Sequence, residues 1–281
     1  MGETDAEGGD WWLRLVTWWP YSEQWLVVSI AALVHAISLW GPCLIFTLID
    51  KMRWLEDCKL PRERKHMDPK LPKNISRDWD AFIEQIFGTV LLVPLFVYLI
   101  FPTFDLVGIS IARPAPSLTE MASHMALMIL GCDFLFYWFH RAFHHPWLYR
   151  FHKKHHEYKA TNVWASEYFD VVDIVFNILP GVIPGLVIRT HFVSLMLFTL
   201  VRGWQTATSH AGYDLWFDPF NRGIFDGCAR RHDFHHSHNA GCYGDWTPFW
   251  DYVAGTDGDY RAYWEERERA ATAKKNGIHA G

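Results

Sequence analysis

The chain of 281 residues carries 26 Lys and Arg against 31 Asp and Glu, which gives a net charge of −5, and 50% of its residues are hydrophobic. The acidic balance excludes a strongly basic nucleic-acid-binding protein, and the apolar content excludes a disordered chain. The five cysteines form no CxxC pair, so they predict neither a disulfide framework nor a zinc knuckle. The 16 histidines are the remaining candidates for chemistry.

Apolar stretches of membrane-spanning length occupy the first half of the chain. They cover residues 25–49, 86–104 and 121–139. The first two contain no charged residue and the third contains only Asp133. About 20 residues of this kind cross a bilayer as a helix. Tryptophans crowd the segment before them, as is typical of the headgroup zone. We therefore predict an N-terminal interfacial segment over 1–24 and a transmembrane region over 25–139.

The distribution of Lys and Arg predicts which helix ends face the cytosol. The loop 51–80 contains nine basic residues, whereas 105–117 contains one. Residues 140–160 contain five and 209–281 contain eight. Basic loops stay on the cytosolic side, so all three of these basic regions should lie there. The apolar segment 172–208 must then enter and leave the bilayer by the same side, either as a hairpin of two short spans or as a re-entrant hairpin.

These features predict an all-α integral membrane protein. It should have four to five transmembrane helices and a cytosolic helical cap rich in histidine. The catalytic region is predicted over 140–260 and includes the hairpin 172–208. A charged, helix-prone tail should follow over 261–281.

Nine of the histidines form three clusters with helical spacing. They are His140, His144 and His145, then His152, His155 and His156, and finally His232, His235 and His236. Side chains three or four residues apart share one face of a helix. Imidazole binds iron, zinc and copper, and nine rings exceed the four ligands of a tetrahedral ion. Two metal ions are therefore predicted, with His210, directly after the hairpin, as a tenth ligand.

The runs HRAFHH, HKKHHEY and HDFHH resemble the three histidine boxes of the fatty acid hydroxylase/sterol desaturase superfamily. Further details over roughly 120–260 resemble its C-4 methylsterol oxidase (methylsterol monooxygenase) branch most. They include Ala165-Ser166-Glu167-Tyr168 and Ser209-His210-Ala211-Gly212-Tyr213-Asp214. One difference is that the branch usually has Ser-Glu-Tyr-Ala-His where this chain has Ser-Glu-Tyr-Phe-Asp, ending at Asp170.

The resemblance implies an oxidoreductase in which the nine box histidines act through two bound iron ions, with zinc replacing iron after purification. It implies a non-haem monooxygenase that uses O₂ to hydroxylate a C–H bond of a lipid, here a sterol C-4 methyl group. The alternatives are a fatty-acyl or sphingolipid hydroxylase, a C-5 sterol desaturase and, outside enzymes, a metal-binding membrane protein. The expected location is the endoplasmic reticulum of a eukaryote, or otherwise a bacterial inner membrane, with the boxes in the cytosol.

Electrons must come from another protein, because the chain has no GxGxxG loop for a nucleotide cofactor and no CxxCH motif for haem. The resemblance implies NAD(P)H as their source and cytochrome b5 or a ferredoxin as the carrier. Such carriers are acidic, so the basic residues of the boxes either form a docking face or only follow the cytosolic bias of Lys and Arg. These are Lys153, Lys154, Arg230 and Arg231.

Carboxylates behind the metal ligands are predicted from their positions. An imidazole ligand is usually oriented by such a carboxylate. Asp133 lies seven residues before His140, on the same face of the predicted helix, and an acid within a span is costly. Asp233 and Glu167 are further candidates.

Overall fold

The computed structural model describes residues 10–61, 74–109, 111–226 and 228–275. These residues form α-helices joined by short turns and contain no β-strand, so the predicted all-α class is confirmed. The helices are α1 (Trp11–Trp18), α2 (Glu23–Met52), α3 (Asn74–Phe87), α4 (Val93–Ile100), α5 (Phe104–Val107), α6 (Leu118–Phe143), α7 (Tyr149–His152), α8 (Val171–Val187), α9 (Phe192–His210), α10 (Cys228–His238), α11 (Phe249–Ala254) and α12 (Gly258–Lys275). Part of the predicted basic loop, 62–73, and the end of the tail, 276–281, lie outside the described residues.

Three helical segments are long and apolar enough to cross a membrane. They are Glu23–Met52, Arg77–Thr103 and Leu118–Phe143. The most apolar part of the second segment buries none of its residues inside the protein. A surface that is apolar throughout needs lipid around it, so the predicted integral membrane character is confirmed. Helix α8 is apolar but shorter than the three spans.

Helices α8 and α9 form the predicted hairpin beside α6. Asp170 caps the start of α8, and His191 caps the start of α9, so the turn includes Arg189 as expected. Gly131 of α6 lies against Pro184 of α8, where a Cβ on the glycine would come within 2.8 Å of the proline ring. The absence of a side chain at Gly131 is therefore what lets the two helices approach.

The turn of the hairpin lies at the end of α6 that is remote from the histidine boxes. Nε2 of His191 is 3.3 Å from the carbonyl of Arg113, in the loop that precedes α6. The hydroxyl of Thr190 is 3.0 Å from Nδ1 of His124, in the first third of α6. Trp12 of α1 packs edge-on against the His191 ring. The hairpin thus extends along α6 from the boxes to the loop that is poor in Lys and Arg.

Helix α9 also packs closely on α2, with Gly203 against Ser38. A Cβ at Gly203 would lie 2.5 Å from that of Ser38. Small residues at such a crossing bring helix backbones together within a membrane. Helix α9 is thereby fixed between α2 and α8, and its last residue, His210, is carried to the same end as His140 of α6.

Candidate metal centre

Nine imidazoles converge into two groups at this end of the helices. Cluster one consists of His140, His144, His152, His156 and His235. Cluster two consists of His155, His210, His232 and His236. The facing ring nitrogens of each group lie within 4.8 Å of one another. Both clusters draw on more than one box, so each forms only when distant parts of the chain come together.

The paired histidines of the second and third boxes divide between the clusters. His156 and His235 belong to cluster one, whereas their neighbours His155 and His236 belong to cluster two. Adjacent residues of a helical turn point in different directions, so a His-His pair can serve two ions at once. This is the structural use of the doubled histidine in these two boxes.

The pair in the first box behaves differently, and the structure places His145 outside both clusters. Helix α6 ends at Phe143, the next residue, His144, faces cluster one, and His145 follows on the exposed surface. The His145 ring packs edge-on against Trp147. Because the helix has ended, the chain turns His145 away from the centre that His144 reaches.

The rings are held from behind by oxygen atoms. Nδ1 donates to a backbone carbonyl in four of them: His140 to Tyr243 at 3.0 Å, His235 to Gly241 at 2.6 Å, His210 to Thr206 at 2.8 Å and His236 to Tyr158 at 3.0 Å. A carbonyl only accepts, so Nδ1 carries the proton and Nε2 presents a lone pair to the cluster. These contacts fix both the tautomer and the direction of each ring.

The facing nitrogens of cluster one cannot satisfy one another by hydrogen bonds. His152 and His235 both direct Nε2 at Nε2 of His156, at 3.1 Å each, and one N–H on His156 could serve only one of them. Nε2 of His140 is buried and has no hydrogen-bond partner among the residues described. Imidazole nitrogens that bind one ion, each at about 2.0–2.1 Å from it, lie about 3 Å from one another. Cluster one therefore fits a metal ion.

Cluster two gives the same result with fewer rings. Nε2 of His232 lies 2.7 Å from that of His210 and 3.1 Å from that of His236. Both of these partners present lone pairs, since their Nδ1 atoms donate to carbonyls. One N–H on His232 could serve only one of these two nitrogens, whereas a cation can bind the lone pairs of all the rings. Cluster two therefore also fits a metal ion.

Burial keeps these imidazoles neutral. Desolvation, reinforced by the neighbouring rings, holds the pKa values of His155, His156, His232 and His236 well below the ordinary value. Desolvation alone lowers the pKa of His152 to about 3. Neutral imidazole is the form that binds metals, so the folded chain needs to lose no proton from these rings before it coordinates.

Asp133 does not occupy the predicted position beside His140. Its Oδ1 accepts the N–H groups of Trp246 and Thr247 at 3.0 and 2.9 Å, and its Oδ2 accepts the hydroxyl of Thr247 at 2.6 Å. Seven residues of helix extend about 10 Å, so a shared face does not bring this carboxylate to the imidazole. Asp133 instead ties the segment after the third box to α6.

The other two predicted acids also contact groups away from the rings. Asp233 accepts the hydroxyl of Thr161 at 2.8 Å. Glu167 ends a 3₁₀ turn, and desolvation raises the pKa of its carboxyl to about 7 against the opposing charge of Arg202. Neither residue is in a metal-sized group of the described side chains.

The carboxylate that does hold a ligand is Asp173, near the start of α8. Its Oδ2 accepts from Nδ1 of His152 at 2.7 Å, and Asp173 is only 2% exposed. The signal in the sequence was an acid within an apolar segment, the same signal that selected Asp133. Its partner could not be read from spacing, because only the fold of the hairpin brings α8 back to His152.

Asp251 is a second supporting carboxylate, and it acts through a loop. It is fully buried and accepts the N–H groups of Tyr243 and Gly244, each at 2.8 Å, while Arg231 donates to it at 2.6 Å. The loop it holds supplies the carbonyls behind two rings of cluster one. Asp251 thus fixes a part of the centre that it does not touch.

Three of the four basic residues of the predicted docking face form ion pairs within the protein. Arg231 is buried in its pair with Asp251, Arg230 pairs with Asp214, and Lys154 pairs with Glu84 at 2.6 Å. Lys153 is exposed and forms no ion pair with any residue in the described ranges.

A helical membrane protein with two all-imidazole clusters is the class that this fold and site define. Comparison with known sequences agrees. The family model named fatty acid hydroxylase matches residues 125–256. A Dictyostelium discoideum protein, provisionally named a methylsterol monooxygenase, is 30% identical over 94% of this chain and 95% of its own length. The chain belongs to the fatty acid hydroxylase family.

Other relatives extend the comparison. Methylsterol monooxygenase 1-1 of Arabidopsis thaliana is 27% identical over 78% of this chain and 75% of its own length. A very-long-chain aldehyde decarbonylase of Oryza sativa subsp. indica is 34% identical over 59% of this chain and 65% of its own length. No solved structure matches the chain significantly. The resemblance drawn from the boxes and the oxidoreductase class are therefore confirmed.

Proposed function

We propose that this chain is a membrane di-iron monooxygenase that oxidises the C-4 methyl group of a sterol. The observation that carries the proposal is the pair of adjacent clusters, built entirely from neutral imidazoles. Cluster one would hold one iron ion and cluster two the other. When bound, such a pair supplies the reduction of O₂ by two electrons and two protons, with one oxygen atom entering the C–H bond and the other leaving as water.

The residues of the chain orient the metal ligands and limit the access of water to the centre. The carbonyls of Tyr243 and Gly241 and the carboxylate of Asp173 hold three rings of cluster one in fixed directions. The Tyr243 ring covers this cluster, with its centroid 5.1 Å from that of His144. Most ligands are buried, which limits access of water to the reacting atoms.

The choice of a sterol is supported by the extent of the relatives. The two methylsterol monooxygenases match 94% and 78% of this chain. The aldehyde decarbonylase matches just over half of it. The longer match to the methylsterol monooxygenases therefore supports the sterol more than the alternative of an aldehyde.

The electron carrier is proposed to be a cytochrome b5 or a ferredoxin, reduced by NAD(P)H. Lys153 is exposed and directly follows the cluster-one ligand His152, so an acidic carrier bound there would lie close to the centre. Electrostatic attraction of this kind raises association rates and weakens with salt.

A reconstituted assay tests the proposal. The chain, loaded with iron in lipid nanodiscs, is given cytochrome b5, its reductase, NADH and a 4-methylsterol under ¹⁸O₂. We expect a 4-hydroxymethyl sterol that carries one labelled oxygen, and its further oxidation products. A chain with normal iron content that leaves the sterol unchanged but converts a long-chain aldehyde to an alkane would overturn it.

The boxes are proposed to face the cytosol, at the endoplasmic reticulum in a eukaryotic cell or otherwise at a bacterial inner membrane. Single cysteines at the exposed positions Lys153, Glu265 and Arg189 test the orientation with an impermeant maleimide, after replacement of the partly exposed Cys58. We expect the first two positions to react from the cytosolic side and the third from the opposite side. Reaction of positions 153 and 265 from different sides would refute it.

A further inference from the structure

A narrow cleft between α6 and α8 reaches the metal centre. Its walls are aromatic and include Phe136, Phe139 and Phe143 of α6 and Phe176 of α8. Two ligands of cluster one, His140 and His152, form its inner end. The rings of Phe143 and Phe176 are in contact across it, with their centroids 4.7 Å apart, so a substrate must separate them to reach the ligands. The cleft therefore joins cluster one to the space between two apolar helices.

This cleft opens toward lipid rather than toward water. The outer side of α8 exposes Val175 and Ile178 as well as Phe176. Exposed apolar side chains on an apolar helix that packs against a candidate span lie in contact with acyl chains. A lipid that enters from this side would have its apolar body against the phenylalanine rings.

Besides the two histidines, the polar residues that line the cleft are Asp173 and Asn177. Nδ2 of Asn177 donates to Oδ1 and to the backbone carbonyl of Asp173, at 3.0 Å each. Both amide hydrogens are thereby used, which fixes the side chain and leaves Oδ1 as an acceptor. That oxygen accepts no hydrogen bond from the part of the chain that the structure describes, and Asn177 lines the cleft.

We propose that Asn177 recognises a hydroxyl group of the substrate, next to the carbon that is oxidised. This inference rests on the proposed function and defines its substrate class: a lipid with a rigid apolar body and a hydroxyl on the carbon adjacent to the one that bears the reacting methyl group. The 3-hydroxyl of a 4-methylsterol has this relation. A saturated hydrocarbon chain has no donor for the acceptor of Asn177.

The position of Asn177 explains why the hydroxyl would also direct the reaction. Asp173 contacts both Asn177 and the ligand His152, so the recognition oxygen is fixed relative to cluster one through a single shared carboxylate. A hydroxyl bound by Asn177 would place its neighbouring carbon at a set distance from the centre. Such positioning by a remote contact is a recognised source of rate and of regiospecificity.

Paired substrates test the inference. A 4-methylsterol and its 3-deoxy analogue are compared as substrates of the reconstituted enzyme and as ligands of the metal-free protein in detergent, by equilibrium binding of the labelled sterols. We expect Asn177→Leu to lower kcat/KM and affinity for the hydroxysterol about two- to tenfold, the value of one neutral hydrogen bond. The same variant should lower both values less for the 3-deoxy analogue, because the lost contact with Asp173 affects both sterols, whereas the lost hydroxyl contact affects only one. Ile178→Leu, on the lipid side of the same turn, is the matched control.

The outcomes separate the possible roles of Asn177. Equal losses on both sterols, with lower metal content, would show that it only supports Asp173 and would overturn the inference. Equal use of both sterols by the unchanged chain would do the same. If Asn177→Leu fails to fold, two measurements replace it. One is the preference of Asn177→Gln, which keeps the acceptor, for the hydroxysterol over the 3-deoxy analogue, and the other is the same preference in binding to the unchanged chain. Failure of the proposed function is distinct, because no sterol would then be oxidised at all.

Discussion

The two metal clusters are built from the same side chain but are supported differently. In cluster one a carboxylate, that of Asp173, stands behind His152, and two rings rest on carbonyls of one tightly held loop. In cluster two the carbonyls of Thr206 and Tyr158 lie behind the rings. Cluster one also borders the aromatic cleft, through two of its ligands. The proposed substrate cleft thus lies on the side of cluster one.

The difference has an electrostatic consequence. A carboxylate behind an imidazole makes the ring a stronger donor than a carbonyl does, so the two ions would have unequal ligand fields. If the two metal sites were identical, neither would be favoured as the one nearer the substrate. The following predictions test whether the clusters differ in the ways that their surroundings indicate.

Loss of a ligand from either cluster should abolish turnover. His235→Ala removes a ring from cluster one and His155→Ala removes one from cluster two, and each should cost more than the roughly 10–100-fold typical of residues behind a ligand. His145→Ala should keep near-normal activity, because this residue belongs to neither cluster. Turnover and iron per chain are measured on the same sample. Strong loss in His145→Ala with normal folding would contradict the assignment.

Asp251→Ala should destabilise cluster one more than cluster two. The change leaves Arg231 buried without its partner, which costs about 3–5 kcal/mol of folding free energy, and it frees the loop behind His140 and His235. Thermal denaturation and metal content check this expectation. The control is Arg269→Ala, which breaks only an exposed pair with Glu265 and should leave the midpoint unchanged. An unchanged midpoint in Asp251→Ala would be the contrary result.

Asp173→Asn should weaken one metal site and spare the other. Loss of the carboxylate behind His152 is expected to lower metal affinity about 10–100-fold at cluster one alone. Titration of the metal-free protein with zinc, followed by calorimetry, resolves the two binding steps. Asp170→Asn, three residues earlier, retains a residue able to cap α8 and serves as control. Equal weakening of both steps would remove the proposed asymmetry.

Two phenylalanines provide the smallest test. The ring of Phe169 stacks on the cluster-two ligand His155 with centroids 4.3 Å apart, whereas Phe176 lies in the cleft. Phe169→Leu should lower kcat about two- to tenfold with little change in KM, and Phe176→Leu should raise KM by a similar factor. Steady-state kinetics on a sterol substrate measures both. The same response from both variants would argue against a substrate side.

Residue type and helical spacing were enough to select the histidines that the fold brings together. Nine of the ten predicted ligands lie in the two clusters, and the exception, His145, depends on where α6 ends. The carboxylates were harder to predict. Asp133 shares a face with His140 but is too far along the helix, while Asp173 reaches His152 only through the path of the hairpin. Contacts of this second kind are set by tertiary packing and leave no period in the sequence.

The interleaving of the boxes bears on how the protein matures in the cell. Each cluster needs a ring from the third box, which is synthesised after the whole α8–α9 hairpin. When the second box leaves the ribosome, five of the nine ligands are available and neither set is complete. The hairpin is therefore synthesised before either site can close, and complete metal sites form only after the third box has been made. A nascent chain stalled before Cys228 would have incomplete sets of ligands at both sites. The interval before the third box is made is therefore the stage at which iron supply and quality control can act.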